Sequence, residues 1–466
     1  MVERVENYDV VVVGAGAAGI AAAISAARNG ARTLLLDAGP MPGGELISGM
    51  PVLGCLSSAG SWTVGGIAKD LFAQCEAYDG YIGVVSDYRT LHAVAFDPEV
   101  MKLAVVKLLH DAGVEQWLYS FAEQTIVESG RVRGIYVRNK SGRSLIVADV
   151  FIDCSGDADL AISAGAAYEA GEPATGAFQA LSLIYRLSGI NIQRLLEFIA
   201  QEPDSFGLKD NHAMGLSRDE CITALLRQGQ PKAAALASGP LLTNAMARGD
   251  IFPLSNIAIA PVSTQRREVS INANRVADID ATDTAKLSSS LPELMEQITI
   301  CTRFLHKHVP GFEEAVFSGV APRIGIRETR RIVGEDTLSG TDVLTSRHRT
   351  DTIARGAHEI DVHASGTAHQ RQEIPGGGYY DIPFGSLIPK GLANVLVAGR
   401  CLSSTREGHS SARVMGPCLA MGQAVGTAAA AFREKIVGNG DVRDVPVSQL
   451  QSILVAQGAI LGEDKG

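Results

Sequence analysis

The sequence predicts an α/β fold in which one parallel sheet begins at the N-terminus, is interrupted by an inserted α+β region, and is completed in the last quarter of the chain. Two segments predict it. Val10-Val-Val-Val-Gly14-Ala-Gly16-Ala-Ala-Gly19 opens the chain, and Asn394-Val-Leu-Val-Ala-Gly399-Arg400-Cys401 leads into a helix expected to start at Pro417. A third segment, Val150-Phe-Ile-Asp-Cys154-Ser155-Gly156-Asp157, repeats the pattern of an apolar strand ending in a turn of small residues.

Taken in order, Val10 to Val13 is an apolar run suited to a buried parallel strand. Gly14 provides a tight turn, Gly16 a close backbone approach to a pyrophosphate, and Gly19 close packing of helix on strand. The Ala-rich run from Ala17 and Ala18 to Arg28 supplies a helix whose first amides face that anion. Asn29-Gly30 stops it, Thr33 to Leu36 reads as the second strand, and Asp37 follows. A carboxylate there accepts hydrogen bonds from a ribose diol and disfavours a 2′-phosphate.

The glycine-rich stretch from Gly39 through Gly43, Gly44, Gly49, Gly54 and Gly60 to Gly66 reads either as backbone lying against a flat ligand or as a flexible loop. Asp97-Pro98-Glu99 is a helix start, with Asp as N-cap and Pro at the first helical position; the helix is expected to end near Asp111, before Gly113. Gln116 to Val127, Arg131 to Arg138 and Arg143 to Val150 read as a β-meander with turns at Ser129-Gly130 and Ser141-Gly142. It feeds the Val150 strand, whose Ser155-Gly156-Asp157 turn lets backbone approach the nucleotide again.

From about Ala161 to Pro375 the glycine fingerprints stop. A strand is expected from Ala180 to Leu187, another from Glu268 to Asn274, and helices around 190–230 and 287–308. The expected division is 1–160 for the first part of the nucleotide-binding domain, 161–375 for an inserted substrate or cap domain, 376–436 for the C-terminal part, and 437–466 for a tail.

The chain of 466 residues is 46% hydrophobic and 20% charged, the balance of a globular protein with a sizeable core. A net charge of −10 argues against nucleic acid as a partner. No apolar run reaches the roughly 18 residues of a membrane span, so no membrane insertion is expected. The acidic start lacks the basic region of a signal peptide. Seven scattered cysteines without a CxxC indicate neither a disulfide framework nor a zinc or iron–sulfur site, and a cytoplasmic location is expected. Cys55 is expected to be a buried small side chain rather than a redox thiol. His348, His358, His363 and His369 crowd a polar region that reads as a lid, and no metal is expected there.

The blocks above resemble the FAD-dependent oxidoreductase family with a glutathione-reductase-like FAD domain, and more distantly the fumarate reductase and succinate dehydrogenase flavoproteins. The resemblance rests on Gly14 to Gly19 with Asp37, Pro42-Gly43-Gly44, Phe151 to Leu160, Ser182 to Leu187, and Asn272 to Arg275 with Asp280 to Asp283. It continues through Ile324 to Gly334, Tyr380 to Pro383, Leu396 to Ser403 and His409 to Gly426. It implies a Rossmann-like FAD-binding domain, a parallel sheet plus β-meander, carrying an inserted α+β substrate domain. The FAD contacts it implies are Gly14, Gly16, Ala17, Ala18, Gly19, Asp37, Ala38, Gly43, Gly44, Ala122, Ser155, Gly156 and Asp157, then Gly399, Arg400, Met415, Gly416, Cys418 and Leu419. No histidine occupies the Pro42-Gly43-Gly44 loop where fumarate reductase relatives attach flavin covalently, so FAD is expected to be non-covalent.

In those relatives a His-x-x-x-Arg pair precedes the last helix, its arginine gripping a substrate carboxylate; here His409 and Arg413 have that spacing. Arg413 is then an anchor and His409 a proton carrier, or Arg413 neutralises the FAD diphosphate and His409 is structural. The His-His-Thr-Met-Gly-Gly type of block of those relatives is missing, with Asp381-Ile-Pro-Phe-Gly-Ser-Leu in the comparable place, so fumarate and succinate are not implied. Arg323, Arg327 and Arg331, spaced by four, are expected to share a face, as an ion-pair network or as an anion site. Gly422, Gly426 and Ala430 form a small-residue row suited to close helix packing.

The expected function is hydride-equivalent transfer between FAD and a small organic substrate, carboxylate-bearing if Arg413 is its anchor. A flavin monooxygenase, a flavoprotein subunit feeding an electron-transfer partner, and a non-catalytic dinucleotide-fold binding protein are the alternatives. A homo-oligomer is compatible with the chain.

Overall fold

The computed structural model describes residues 4–462. A seven-stranded sheet is built around Arg4–Val13, which runs parallel to Thr33–Leu36 on one side and to Gly142–Asp153 on the other. Val10, Val11 and Val12 have no exposed surface, as a strand covered on both faces requires. Thr33–Leu36 pairs in parallel with Glu115–Trp117 in turn. The run expected as one strand from Gln116 to Val127 is therefore divided. Glu115–Trp117 extends the parallel sheet, and Phe121–Glu128 opens the antiparallel meander. Tyr119, between them, turns the chain at φ 52°, a left-handed conformation that its residue type does not advertise.

The elements expected at 143–150 and 150–153 are one twelve-residue strand, Gly142–Asp153. One of its edges follows Arg4–Val13 from Ser144 to Asp153. The other edge is shared: its first half pairs antiparallel with Arg131–Asn139, and Phe151–Asp153 pairs in parallel with Val395–Val397. Asn394 occupies the handover. Its Oδ1 accepts from Val132 N at 2.9 Å, and its Nδ2 donates to Val132 O at 2.9 Å and Asp149 O at 3.0 Å.

Helices Ala17–Arg28 and Met415–Ala431 pack together on this sheet. The second starts at Met415 rather than Pro417, because the missing N–H of a proline costs no hydrogen bond in a first turn. A Cβ on Gly422 or Gly426 would come within 2.1 or 2.2 Å of the Ala18 or Ala22 carbonyl oxygen, so these glycines set the helix–helix distance.

A second, antiparallel sheet has the order Ala233–Leu236, Asn256–Ser263, Glu268–Asn272, Tyr185–Ser188, Val316–Val320. The strand expected from Ala180 begins only at Tyr185, since Leu181 and Ser182 make single bridges to Val276 and Gly325 instead. Side chains alternate along it. Ile257, Ile259, Val269 and Ile271 enter a separate core with Leu294, Phe304 and Leu305 of helix Leu291–His308. Ala258, Ala260, Ser270 and Asn272 turn to the opposite face. Val343, Ile353, Ile360 and Ile374 pack in the core beneath Ala17–Arg28 and Met415–Ala431 instead.

Among the described residues no single helix is long and apolar enough to cross a membrane. All seven cysteines are buried and unpaired.

Candidate active site

One cavity joins the glycine turns of the parallel sheet to the small-residue face of the antiparallel sheet. On the sheet side, the three fingerprint glycines divide by role. A Cβ on Gly14, held at φ +98°, would lie 2.4 Å from Cys154 O, and one on Gly19 would lie 1.7 Å from Gly14 O. Both positions are packing contacts. Gly16 meets nothing within 4 Å and lines the cavity. Gly16 is also the N-cap of Ala17–Arg28, which has no capping side chain and no acid in its first turn. Its free amides and dipole thus face the cavity, ready for an anion.

Asp37 lines the same end, its carboxylate held by two backbone amides, Ala15 N at 2.5 Å and Gly39 N at 2.6 Å. Arg400 enters from the C-terminal strand and donates to Asp157 at 2.8 Å and Thr329 Oγ1 at 3.0 Å. Burial opposes ionisation of the Asp157 carboxyl, but the Arg400 guanidinium and the Thr329 hydroxyl hold its pKa below the usual range.

Arg323, Arg327 and Arg331 do not all share a face, because the chain around 322–329 is irregular: the first two line the cavity and the third does not. Arg331, 1% exposed, pairs with buried Glu328 at 2.8 Å and is structural. Arg323 lines the cavity beside Gly44. Arg327 also lines it and donates to Ala180 O at 2.5 Å. Burial, with Arg275 and Arg413 nearby, pushes its guanidinium down to about 9.

Arg413 caps helix Arg406–Ala412 and lines the cavity, donating to Asp361 O at 3.2 Å. The expected helical spacing is present, since Arg413 N donates to His409 O at 3.0 Å. His409 nevertheless does not reach the cavity. It is fully buried, and burial, reinforced by Arg331, Arg413 and Arg400, holds its ring neutral with a pKa well below the histidine range.

Two other histidines, His363 and His369, line the cavity. Strand Ile360–His363 pairs antiparallel with His369–Gln372, setting His363 opposite His369. Their rings stack 4.5 Å apart, and Asp361 lies 2.8 Å from His363 Nε2 and 2.5 Å from His369 Nε2. All three line the cavity, and His363 Nδ1 has no hydrogen-bond partner. Burial pushes His363 well below the usual range, against the pull of Asp361, and pushes His358 down to about 4. The ligand atoms of Asp361, His363 and His369 lie within 4.8 Å of one another, a spacing open to a cation. Arg413, 3.9 Å from the Asp361 carboxylate, and Arg327, whose charge acts on His363, make the surrounding space more favourable to an anion.

The FAD dependent oxidoreductase family matches residues 9–454, across both halves of the split sheet. The chain belongs to that family. It is an FAD-dependent oxidoreductase with a Rossmann-like cofactor domain. The alpha subunit of the sarcosine oxidase of Rhizobium meliloti (strain 1021) is 55% identical over 42 residues, 9% of this chain and 4% of that one. An opine oxidase subunit of Agrobacterium tumefaciens (strain Ach5) is 54% identical over 39 residues, 8% of each chain. The chain therefore matches only a short segment of each of these relatives. Among solved structures, a geranylgeranyl bacteriochlorophyll reductase-like protein of Thermoplasma acidophilum shares 14% identity over 98% of this chain and 85% of its own, at a TM-score of 0.46. The p-nitrophenol 4-monooxygenase of Pseudomonas putida DLL-E4 shares 11% over 98% and 88%, at 0.43.

The residues present fit FAD: an uncapped helix start, an open Gly16 and an amide-held Asp37 meet in one cavity. Of the sequence-predicted cofactor contacts, Gly14, Gly16, Ala17, Ala18, Asp37, Gly44, Ser155, Gly156, Gly399, Arg400, Met415 and Cys418 line that cavity. Gly19, Ala38, Gly43, Ala122, Asp157, Gly416 and Leu419 stand outside its lining. Gly19 and Gly416 are packing contacts, Leu419 is in the core, Ala122 packs under the meander, and Asp157 is engaged by Arg400. Asp361, Lys232 and Arg371 line the cavity although sequence reasoning misses them. A signal for Asp361 exists in the Ser365-Gly366 turn between two short runs that end in histidine and begin with it.

Proposed function

We propose that this oxidoreductase moves a hydride equivalent between non-covalent FAD and a carbon of a small carboxylate-bearing substrate. Bound FAD supplies the two-electron redox chemistry at its isoalloxazine ring. The amides of Gly16, Ala17 and Ala18 take the diphosphate, and Asp37 takes the ribose diol. Met415 and Cys418, in the first turn of Met415–Ala431, line the cavity where that uncapped helix start favours negative charge, an effect of about 0.3–1 kcal/mol when exposed and ~2 kcal/mol when partly buried.

The observation that carries the substrate reading is that two guanidiniums, buried Arg327 and Arg413 with only 12% of its side chain exposed, line the cavity shared with the nucleotide glycines. A planar guanidinium suits a carboxylate, and a buried cation requires an anion. Proton handling falls to the Asp361–His363–His369 cluster rather than to His409. Asp361 fixes the His363 ring through Nε2, leaving the unpartnered Nδ1 to take a proton, and the neutral ring is the form a base needs.

The test is anaerobic bleaching of the bound flavin by small amino and hydroxy acids compared with their methyl esters. Bleaching by acids but not esters, lost in Arg413→Met, is the expected result. Equal bleaching by esters, or reduction by NADH or NADPH alone, would overturn the reading. Both sequence relatives are named as parts of oxidases, which supports adding dioxygen as acceptor in the reoxidation arm.

A further inference from the structure

The cavity has a second cationic pole away from Arg413. Lys232, only 6% exposed, lines the cavity just before strand Ala233–Leu236. Among the described residues its ammonium has no hydrogen-bond or ion-pair partner, although Asp87, Arg89 and Arg371 surround it. The neighbouring acids are committed elsewhere. Asp87 Oδ1 accepts from the amides of Arg89, Thr90 and Leu91 at 3.0, 2.9 and 2.9 Å, and its Oδ2 faces Arg89 Nη2 at 3.8 Å. Glu359 pairs with Arg371, which also donates to Thr90 Oγ1 at 3.0 Å. Each of these two acids thus has its own guanidinium, and Glu373, which acts on Arg371, lies 4.0 Å from Lys209; Lys232 feels Asp87 through space but has no direct partner of its own.

The first pole has a surplus of the same sign. Arg413, Arg327 and Arg275 share one acid, Asp361, whose flanking histidine His363 burial keeps neutral; Glu45 also acts on Arg327, and Glu328, which acts on Arg413, is already paired with Arg331 and Arg406. Arg275 donates to Asn256 at 2.7 Å and keeps its Nη1 unpartnered. Strand register separates the two poles. Ala233 lies opposite Ile259, which places Lys232 at the Ala260 end of Asn256–Ser263, whereas Arg275 is tied to the Asn256 end. Four residues of strand at ~3.3 Å each put the ends roughly 13 Å apart. The floor between them carries Ala258, Ala234 and Ser270, side chains too small to fill the space.

We infer that the substrate is a dicarboxylic acid, one carboxylate held by Arg413 and Arg327 and the second by Lys232, with the reacting carbon between them over the alanine floor. This rests on the carboxylate reading above and adds a second recognition point to it. An isolated buried ammonium is costly, and a substrate carboxylate is the partner that its position provides for.

The test titrates the FAD-loaded enzyme at constant ionic strength, following the flavin difference spectrum. The probes are succinate, glutarate, adipate and pimelate, each against the monocarboxylate of equal carbon count. At least one dicarboxylate should bind about tenfold or more tightly than its match, as one charge-assisted hydrogen bond implies. Lys232→Met should bring that dicarboxylate down to the affinity of its monocarboxylate, and Lys232→Arg should keep the advantage. Flavin content and melting temperature report whether each variant is folded, and the wild-type comparison decides the matter if Lys232→Met is not. Dicarboxylates no tighter than their matches, or an advantage that survives Lys232→Met, overturns the second pole. In that case monocarboxylate binding that disappears in Arg413→Met leaves the single-carboxylate reading standing. Silence from both classes of probe overturns both.

Discussion

Asp361 Oδ2 lies 2.8 Å from His363 Nε2, which orients the ring and supports its basicity from within a buried, cationic setting. Removing the carboxylate charge takes away the interaction that raises the His363 pKa. Asp361→Asn should therefore move the acidic limb of kcat/KM to lower pH and lower its plateau by about 10²-fold, the low end of general-base contributions. A pH–rate profile checks this. An unchanged limb would remove His363 from proton handling.

Arg413→Met should reduce kcat/KM for a carboxylate substrate by roughly 10–100-fold, the value of about 1.5–3 kcal/mol for a charge-assisted hydrogen bond. Arg413→Lys should recover only part of it, because an ammonium cannot form the planar two-point contact. The corresponding change at His409 should act on stability rather than on substrate affinity, since His409 is fully buried outside the cavity.

Two glycines of one fingerprint should respond differently to alanine. Gly19→Ala places a Cβ 1.7 Å from Gly14 O and should destabilise the apoprotein by about 1–3 kcal/mol or more. Gly16→Ala meets no protein atom within 4 Å, so the apoprotein should keep its stability while FAD affinity falls. Melting temperature and flavin titration on both variants separate the effects. Weaker FAD binding only in Gly19→Ala would reverse the assignment.

Acid should weaken the fold through buried neutral histidines. His358 is pushed down to about 4, and His363 and His409 lie well below the histidine value of 6.5. Above that value these rings are neutral in both states. As pH falls below it the unfolded chain takes up protons that the folded chain does not, so each histidine removes roughly 1.4 kcal/mol per pH unit until its folded pKa is reached, near 4 for His358. Asp361, held well below 3.8 by its two histidines against the cost of burial, adds a loss at still lower pH. Urea midpoints at pH 7 and 5 check the slope, and His358→Gln should flatten it.

Much of the nucleotide half is legible in the sequence, because Val10 to Asp37 couples a strand, three glycines, a helix and an acid at short range. Helix Pro98–Asp111 is legible for the same local reason, its Asp97 cap accepting from Glu99 N at 3.0 Å. What escapes depends on distant partners. Nothing near Gln116 announces that Glu115–Trp117 pairs with Thr33–Leu36 while Phe121–Glu128 does not. The pair His409 and Arg413 has the right spacing, yet the bend of the chain into Met415–Ala431 admits only Arg413 to the cavity. Lys232 carries no local signal at all, since a lysine before a strand is ordinarily a surface residue.

The hydrogen bond from Val132 N to Asn394 joins residues 262 positions apart. During synthesis, the end of Gly142–Asp153 therefore presents an unpaired apolar edge until Val395–Val397 has left the ribosome. The cofactor pocket closes only then, so cofactor loading comes late in biogenesis, and chains that stop short of Asn394 carry an open sheet edge that invites aggregation.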